Sequence, residues 1–178
     1  MKDFFAWAAC NNTANKDWLI LGKGPSFGEL PRYDISSYAT LSLNHAVREQ
    51  SVDIAHIIDL DVVESCSDAL LNNACIVVMP WHPHIDNKAS ASTLGDLCNR
   101  IPVLERLRKQ ERLLWYNLST AENQYSNSPI VQVANFSFEA ALNLLAMSGV
   151  RKVRSLGIDG GQQLQLEFQG PRGQDPTR

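Results

Sequence analysis

The amino-acid sequence predicts an α/β fold built on a parallel β-sheet with helices on both faces, and two features of its apolar pattern carry this prediction. Short runs of four to six apolar residues recur along the chain, each followed by turn-forming or polar residues. Segments with the apolar spacing of an α-helix lie between some of these runs, which is typical of α/β domains. Because the runs are continuous rather than alternating, they suit strands that are covered on both faces, as in a parallel sheet.

Six apolar runs are interpreted as strands. The first four stop at Gly22, Asn44, Asp59 and Pro80, which are residue types that often form turns. The last run contains basic residues, so part of it is expected to meet solvent. In chain order, the predicted strands are Trp18–Leu21, Thr40–Leu43, Ile54–Ile58, Ala74–Met79, Leu113–Tyr116 and Val150–Ile158.

Two segments have helical spacing. In residues 94–112 the apolar side chains fall on one stripe, and Pro102 is expected to kink this segment or to begin a second helix. The other helical segment runs from Ser137, which suits the N-cap position, to Gly149, which suits the C-terminal stop. Residues 80–92 have no periodicity and are interpreted as a loop over the site.

Length, composition and charge favour one globular domain. The chain has 178 residues, of which 44% are hydrophobic and 20% charged, values close to those of ordinary globular proteins. We therefore expect a single α/β domain over residues 1–161 and a flexible tail over residues 162–178, where the apolar pattern ends. The formal net charge of −3 argues against a protein held on nucleic acid by diffuse positive charge, so we expect no nucleic-acid partner.

The sequence also predicts a cytoplasmic location. Residues Met1–Trp7 carry one lysine and an early aspartate, and their apolar run is too short for a secretory signal or a spanning helix. The four cysteines form no CxxC pair, so they suit neither a zinc site nor a disulfide framework. We therefore expect a soluble protein with reduced thiols and no transmembrane segment.

The glycine-rich turn after the first predicted strand is a candidate phosphate-binding loop. In a parallel sheet the carboxyl ends of the strands lie along one edge, where open α/β sheets bind ligands. Gly22 and Gly24 permit a tight turn and a close approach of backbone N–H groups to a phosphate. The segment Gly22-Lys23-Gly24-Pro25-Ser26 is neither a P-loop nor a GxGxxG fingerprint, and a purely structural turn is the alternative interpretation.

Two further polar residues are candidates for nucleotide contacts. The amide of Asn44 can both donate to and accept from sugar hydroxyls, although a lone Asn after a strand is also a common turn residue. Ser137 can cap the late helix, and a hydroxyl at a helix N-terminus is also well placed to bind phosphate. Asp159 follows the last predicted strand and is expected at the same edge of the sheet.

The candidate catalytic residues are Asp59 and His45, which follow neighbouring strands. His45 could act as a base, or it could be a hydrogen-bonded structural histidine. Asp59-x-Asp61 is similar to the carboxylate pairs that hold a divalent metal, although aspartates this close are common in loops. His82 and His84 could act as a base from the loop; no metal site is predicted, because no Cys or carboxylate lies at ligand spacing to them.

Three separated pieces of the sequence share a pattern with one family. The first is the strand and turn Leu19–Phe27, the second is Asn44, and the third runs from Ser137 to the closing Gly157-Ile158-Asp159. In order and approximate spacing, these pieces resemble bacterial sialyltransferases that use CMP-sialic acid and the wider group of MptE-like (DUF115) proteins. The resemblance covers residues 18–60 and 135–160.

This resemblance implies a Rossmann-like fold whose glycine loop and Ser137 helix hold a nucleotide phosphate, with Gly157 and Asp159 nearby. In such transferases the acceptor hydroxyl attacks the anomeric carbon of the sugar while CMP leaves, with inversion and no obligatory metal. The implied substrate is therefore a CMP-type nucleotide sugar, and no cofactor is required. The protein would stabilise the developing charge on the phosphate and deprotonate the acceptor.

The sequence departs from the family at three places. Lys23 stands where the family has asparagine, and Asp59 stands near another family asparagine. A carboxylate there would repel an anionic donor unless it holds a metal or acts as a base. The family's catalytic histidine and its assisting tyrosines lie beyond Gly-Ile-Asp, whereas this sequence has no His or Tyr after Asp159. We therefore expect that His45, His82 or His84 replaces them, or that the active-site half is missing.

Two alternative functions stay open at this point. An MptE-like pterin diphosphokinase would transfer pyrophosphate from ATP, with Mg²⁺ held by carboxylates such as Asp59 and Asp61. A truncated fragment would keep a nucleotide-binding shell without catalysis, stabilised by self-association into a homo-oligomer. The leading hypothesis is a nucleotide-sugar-binding glycosyltransferase-like domain that uses a CMP-activated acidic sugar.

Overall fold

The computed structural model describes residues 1–134 and 137–159 of the chain, so the predicted tail over residues 162–178 lies outside the described residues. The strands are β1 (Lys2–Asp3), β2 (Trp18–Leu21), β3 (Ala39–Leu43), β4 (Val52–His56), β5 (Ala74–Pro80), β6 (His84–Ile85), β7 (Lys88–Ala89), β8 (Leu113–Leu118), β9 (Ile130–Val131) and β10 (Val153–Leu156). The α-helices are α1 (Phe4–Cys10), α2 (Leu60–Ser65), α3 (Ser67–Asn73), α4 (Leu94–Leu97), α5 (Pro102–Lys109) and α6 (Ser137–Met147). Short 3₁₀ helices follow β2 and β3, over Pro25–Arg32 and Asn44–Arg48.

The main sheet is parallel, which confirms the predicted α/β, Rossmann-like architecture. Its strands follow the order β10-β2-β3-β4-β5-β8-β1, and β9 pairs with β8 beside this path. Every pairing in this sheet is parallel. Leu21 at the end of β2 stands beside Ser42 of β3 and Leu156 of β10, so the chain leaves these three strands at nearly the same level of one edge.

The connections sort the helices onto the two faces of the sheet. From β2 through β3, β4 and β5 to β8, each strand lies beside the previous one in the same direction, so right-handed crossovers place all these connections on one face. The chain then returns through α6 to β10 at the opposite side of β2. The core is accordingly divided, with residues of α2 to α5 in one cluster and residues of α1 and α6 in the other.

The continuous apolar strands supply both halves of the core. In β2, Leu19 and Leu21 belong to the cluster with α5, whereas Trp18 and Ile20 belong to the cluster with α6. All four residues are buried. A strand that is covered on both faces is apolar at most of its positions, and this explains why the sequence shows runs rather than alternation.

Several local expectations are confirmed, and others need correction. The strand predicted over residues 54–58 ends at His56, because α2 begins at Leu60 with Asp59 in the capping position. Pro102 begins a separate helix, α5, rather than kinking a longer one. Ser137 is the first residue of α6 rather than the residue before it. Gly149 has a φ of +85° just after the end of α6, as a C-terminal stop requires.

The segment over residues 80–92 contains a small hairpin that its lack of periodicity did not predict. Strands β6 and β7 pair antiparallel, with His84 opposite Ala89. The two residues between the strands, Asp86 and Asn87, have φ values of 51° and 61°. Asp and Asn tolerate this left-handed conformation, which two-residue hairpin turns of the primed types require.

The described helices include none that is both long and apolar enough to cross a membrane. The four cysteines are free thiols, of which Cys66 and Cys98 are buried, and this agrees with the expectation of reduced cysteines.

Candidate functional site

The predicted site residues follow the carboxyl ends of neighbouring strands. Gly22 comes directly after β2, Asn44 directly after β3 and Gly157 directly after β10, while Asp59 lies three residues beyond the end of β4. Because these strands are parallel, the residues that follow them lie along one edge of the sheet. Two groups of polar residues can be distinguished there, the glycine loop with the end of β10, and a cleft beside α6.

The glycine loop is packed against the end of β10. The backbone N–H of Gly22 donates to the carbonyl of Leu156 at 2.9 Å, and that of Gly24 donates to the carbonyl of Gly157 at 2.7 Å. A Cβ atom on Gly22 would lie 2.3 Å from the carbonyl oxygen of Gly157. The glycines therefore permit a close contact between two backbone segments.

Ser26 joins this loop to Asp159. Its backbone N–H donates to Asp159 Oδ2 at 3.1 Å, and its hydroxyl donates to the same carboxylate. The N–H of Gly157 donates in turn to Ser26 Oγ at 2.8 Å. The hydrogen bonds from Ser26 hold the pKa of Asp159 below its ordinary value.

These contacts bear on the predicted phosphate loop. The N–H groups of Gly22, Gly24 and Ser26 already donate within the protein, and Pro25 has no N–H to offer. A phosphate bound by those three amides would have to displace the carbonyls or the Asp159 carboxylate. Lys23 extends to Glu49, with 3.3 Å between Nζ and Oε1. A direct role of this loop in binding stays a prediction.

Asn44 and Ser137 meet although 93 positions separate them in the sequence. Asn44 Nδ2 donates to Ser137 Oγ at 3.3 Å, which links the end of β3 to the first residue of α6. Asn44 Oδ1 is buried and has no hydrogen-bond partner. The φ of Asn44 is 48°, a conformation that Asn adopts more readily than most residues. Asn44 therefore suits the backbone conformation at the end of β3, and its side-chain amide has an unused acceptor.

His45 follows Asn44 in the chain, but its side chain contacts the end of α2. Its Nε2 is 3.2 Å from Ser65 Oγ. Burial lowers the pKa of His45, and the positive charges of Arg48 and Lys23 lower it further, whereas Asp61 acts in the opposite direction. His45 is not one of the described residues that line the cleft beside α6. Its predicted catalytic role stays a prediction.

The cleft beside α6 contains Asp59, the other predicted catalytic residue. It has a volume of about 140 Å³ and lies between the ends of β4 and β8, the β6–β7 hairpin and the start of α6. Its polar lining consists of Asp59, His84, Asn87, Thr120 and Ser137. The cleft is smaller than the ~300–1,000 Å³ of typical ligand pockets, so it can enclose one group of a larger ligand.

A row of three side chains runs across this cleft. His84 Nε2 is 2.8 Å from Thr120 Oγ1, and His84 Nδ1 is 4.0 Å from Asp59 Oδ1. Burial lowers the pKa of His84, against the opposing effect of the Asp59 charge. Burial raises the pKa of Asp59, which the neighbouring Asp61 also raises and His84 lowers. The shifts make His84 easier to keep neutral and Asp59 easier to protonate than the free side chains.

Asp59 and Asp61 have different surroundings in the structure. Asp59 faces His84, whereas Asp61 is in the first turn of α2. Within residues 1–134 and 137–159, no group of three or more His, Cys, Asp or Glu residues is placed to hold a metal ion. Asp59 instead belongs to a carboxylate and imidazole pair.

Two polar residues of the cleft were missed by sequence reasoning. Thr120 follows β8 and carries no local signal, because a single threonine after a strand is ordinary. Asn87 belongs to the hairpin turn, and the Asp86-Asn87 dipeptide between two short segments was the signal that could have found it. The hairpin is also what brings His84 against Asp59, through an isolated parallel bridge between these two residues.

Comparisons with protein-family models, with curated proteins and with solved structures found no match to this chain.

Proposed function

We propose that this protein is a nucleotide-binding transferase whose donor is a CMP-activated acidic sugar. The observation that carries the proposal is the pairing of Asn44 with Ser137, a residue that lines the cleft, together with the buried Asn44 Oδ1, which has no partner. A ribose or sugar hydroxyl that donates to this oxygen would satisfy it, and the start of α6 favours a negatively charged phosphate. No catalytic metal or cofactor is required in this proposal.

The size of the cleft supports a binding site in which only part of the ligand is enclosed. A volume of about 140 Å³ suits one sugar or phosphate group, so the rest of the ligand would extend along the open edge of the sheet towards Lys23. In this proposal the enzyme acts in the cytoplasm, on a soluble nucleotide sugar. The cytidine base and the acidic sugar are taken from the resemblance of residues 18–60 and 135–160 to sialyltransferases.

Thermal unfolding in the presence of nucleotides tests the proposal. We expect CMP and CTP to raise Tm more than ATP does, by about 5–10 °C when CMP is present at ~100 times its Kd. Asn44→Asp keeps the size of the side chain but replaces the Nδ2 donor with a negatively charged oxygen. It should lose more than half of the CMP-induced shift, because the new charge repels the phosphate.

The matched control is Asn72→Asp, which makes the same charge change on an exposed residue of α3. This residue lies at the opposite edge of the sheet, since α3 ends where β5 begins. The CMP-induced shift of this variant should equal that of the unmodified protein. If no cytidine nucleotide raises Tm, the proposal is wrong; if ATP with Mg²⁺ gives the largest shift, a diphosphokinase replaces it.

A further inference from the structure

The backbone of His84, the central residue of the row Thr120, His84 and Asp59, is held in place by two contacts. The N–H of His84 donates to the carbonyl of Ile58 at 2.8 Å, and His84 forms a parallel bridge with Asp59. The His84 residue is 9% exposed, so its ring has little freedom apart from the side that faces the cleft. A histidine held in this way presents the same nitrogen to any ligand that enters.

The neighbours of His84 decide which ring nitrogen can accept a proton. Asp59 lies on the Nδ1 side, where a carboxylate favours a proton on that nitrogen. Nε2 is then the acceptor, and the Thr120 hydroxyl donates to it at 2.8 Å. Because burial lowers the pKa of His84, the ring is neutral at pH 7 and can take up a proton.

We propose that His84 is the general base of the cleft and that a ligand hydroxyl takes the place of the Thr120 hydroxyl at Nε2. Asp59 is a positioning residue, which orients the ring and stabilises the imidazolium that forms. This inference rests on the proposed transferase function and adds to it the residue that accepts the proton. It selects His84 over the predicted His45, whose Nε2 is directed to Ser65.

The reaction step balances with these groups. His84 Nε2 accepts the proton of the ligand hydroxyl while its oxygen forms a bond to the anomeric carbon of the donor sugar. The bond from that carbon to the phosphate oxygen breaks, and its electron pair leaves on CMP. The imidazolium then returns its proton to solvent. No oxidant, reductant or further reactant is needed.

The charged and titratable groups around His84 come from three elements. Asp59 before α2 acts on His84 directly, and Asp61 of α2 acts on Asp59. Tyr116 of β8 feels the charge of Asp59, but burial raises its pKa well above its ordinary value, so it stays neutral. Thr120 has no titratable charge. Protonation of His84 is therefore governed by its burial and by Asp59.

Chemical modification tests the position of His84 without any need for turnover. Diethyl pyrocarbonate acylates neutral imidazoles, and mass spectrometry of the peptides reports each histidine separately. Saturating CMP-sialic acid should slow modification of His84 by about tenfold or more, and Thr120→Val should speed it in the free protein because Nε2 loses its partner. If CMP-sialic acid binds and His84 reacts at an unchanged rate, the inference is wrong while the proposed function stands.

Release of CMP from CMP-sialic acid, with water as the acceptor, tests the catalytic role. We expect His84→Gln to lower kcat by about 100-fold or more, with the Tm shift on binding retained and with loss of the fall in rate at low pH. Asp59→Asn should keep this fall but move it to lower pH, since removing the negative charge lowers the pKa of His84. A merely structural role would change Tm without changing the pH profile.

The remaining outcomes are also decisive. Loss of turnover in His45→Gln together with normal turnover in His84→Gln would make His45 the base and overturn the inference. Binding of CMP-sialic acid by the unmodified protein without any CMP release between pH 5 and 9 would overturn it as well. Absence of binding would refute the proposed function itself, and this inference with it.

Discussion

His56 shows how burial controls the chemistry of a single residue. It lies at the end of β4, is fully buried, and its Nε2 is 2.8 Å from the Tyr116 hydroxyl. The two rings are stacked, with 5.6 Å between their centroids, and Nδ1 is buried without a partner. Burial lowers the pKa of His56 to about 3. The folded protein therefore keeps this histidine neutral at neutral and mildly acidic pH.

We expect the stability of the protein to fall as the pH is lowered through 6.5. The unfolded chain binds a proton at His56 with an ordinary pKa, whereas the folded chain does not, so acid favours unfolding. This histidine alone accounts for about 2 kcal/mol between pH 7 and pH 5. Urea unfolding of His56→Leu and of the unmodified protein at both pH values measures it.

The variant should show a pH dependence that is smaller by this amount. Other groups titrate in the same interval, including His84, so the comparison between the two proteins is what isolates His56. If the free energy of unfolding depends equally on pH in both proteins, protonation of His56 does not contribute to acid unfolding.

The contact between the glycine loop and the end of β10 requires glycine for two different reasons. Gly24 has an ordinary φ of −68°, so its need for glycine is steric rather than conformational. A Cβ there would lie 2.3 Å from the carbonyl oxygen of Asp159. Gly157 is different, because it combines a φ of +73° with a Cβ position 2.4 Å from the carbonyl oxygen of Gly22. Sequence reasoning assigned these glycines to a ligand, and the structure also gives them a packing role.

Gly24→Ala should lower the free energy of unfolding by about 2–3 kcal/mol, because two backbone segments must separate to admit the methyl group. Gly28→Ala is the matched control, since a Cβ at Gly28 would meet nothing within 4 Å. This second change should alter stability by no more than about 1 kcal/mol. Chemical denaturation of both variants measures the difference, and equal effects would show that the close contact is absent.

The whole molecule is organised as two apolar cores that share one sheet. Leu104 of α5 belongs to one core and Leu144 of α6 to the other, and both side chains are fully buried. The strands between them contribute alternate residues to each side. Loss of packing on one face therefore weakens the sheet that supports the other face, so we expect the two cores to unfold together.

Leu104→Ala and Leu144→Ala should each lower the free energy of unfolding by about 2–5 kcal/mol. Because the sheet separates the two residues, the double variant should lose nearly the sum of the two values. Each single variant should unfold in one transition, which circular dichroism and tryptophan fluorescence report at the same urea concentration. Trp18 and Trp115 lie in different cores, so two separate fluorescence transitions would contradict the expectation of cooperative unfolding.

The fold class and the longer strands could be predicted from the apolar pattern of the chain. Strand β2 coincides with its predicted run, and β3, β5 and α5 begin or end close to the expected residues. Burial on both faces acts on every residue of a strand, so it leaves a continuous apolar pattern that can be recognised locally. The short elements near the N-terminus, the pair α2 and α3, and the two-residue strands β6, β7 and β9 were not predicted, because their patterns are too brief.

The contacts between polar residues in the site depend on how distant segments pack together. Asn44 lies beside Ser137, and Asp59 beside His84 and Thr120, through the strand order and a two-residue hairpin turn. Periodicity records whether a side chain is buried, but it carries no information about which distant segment covers it. The continuous apolar runs therefore revealed the sheet, whereas the cleft depends on non-local pairings that exist once the chain has folded.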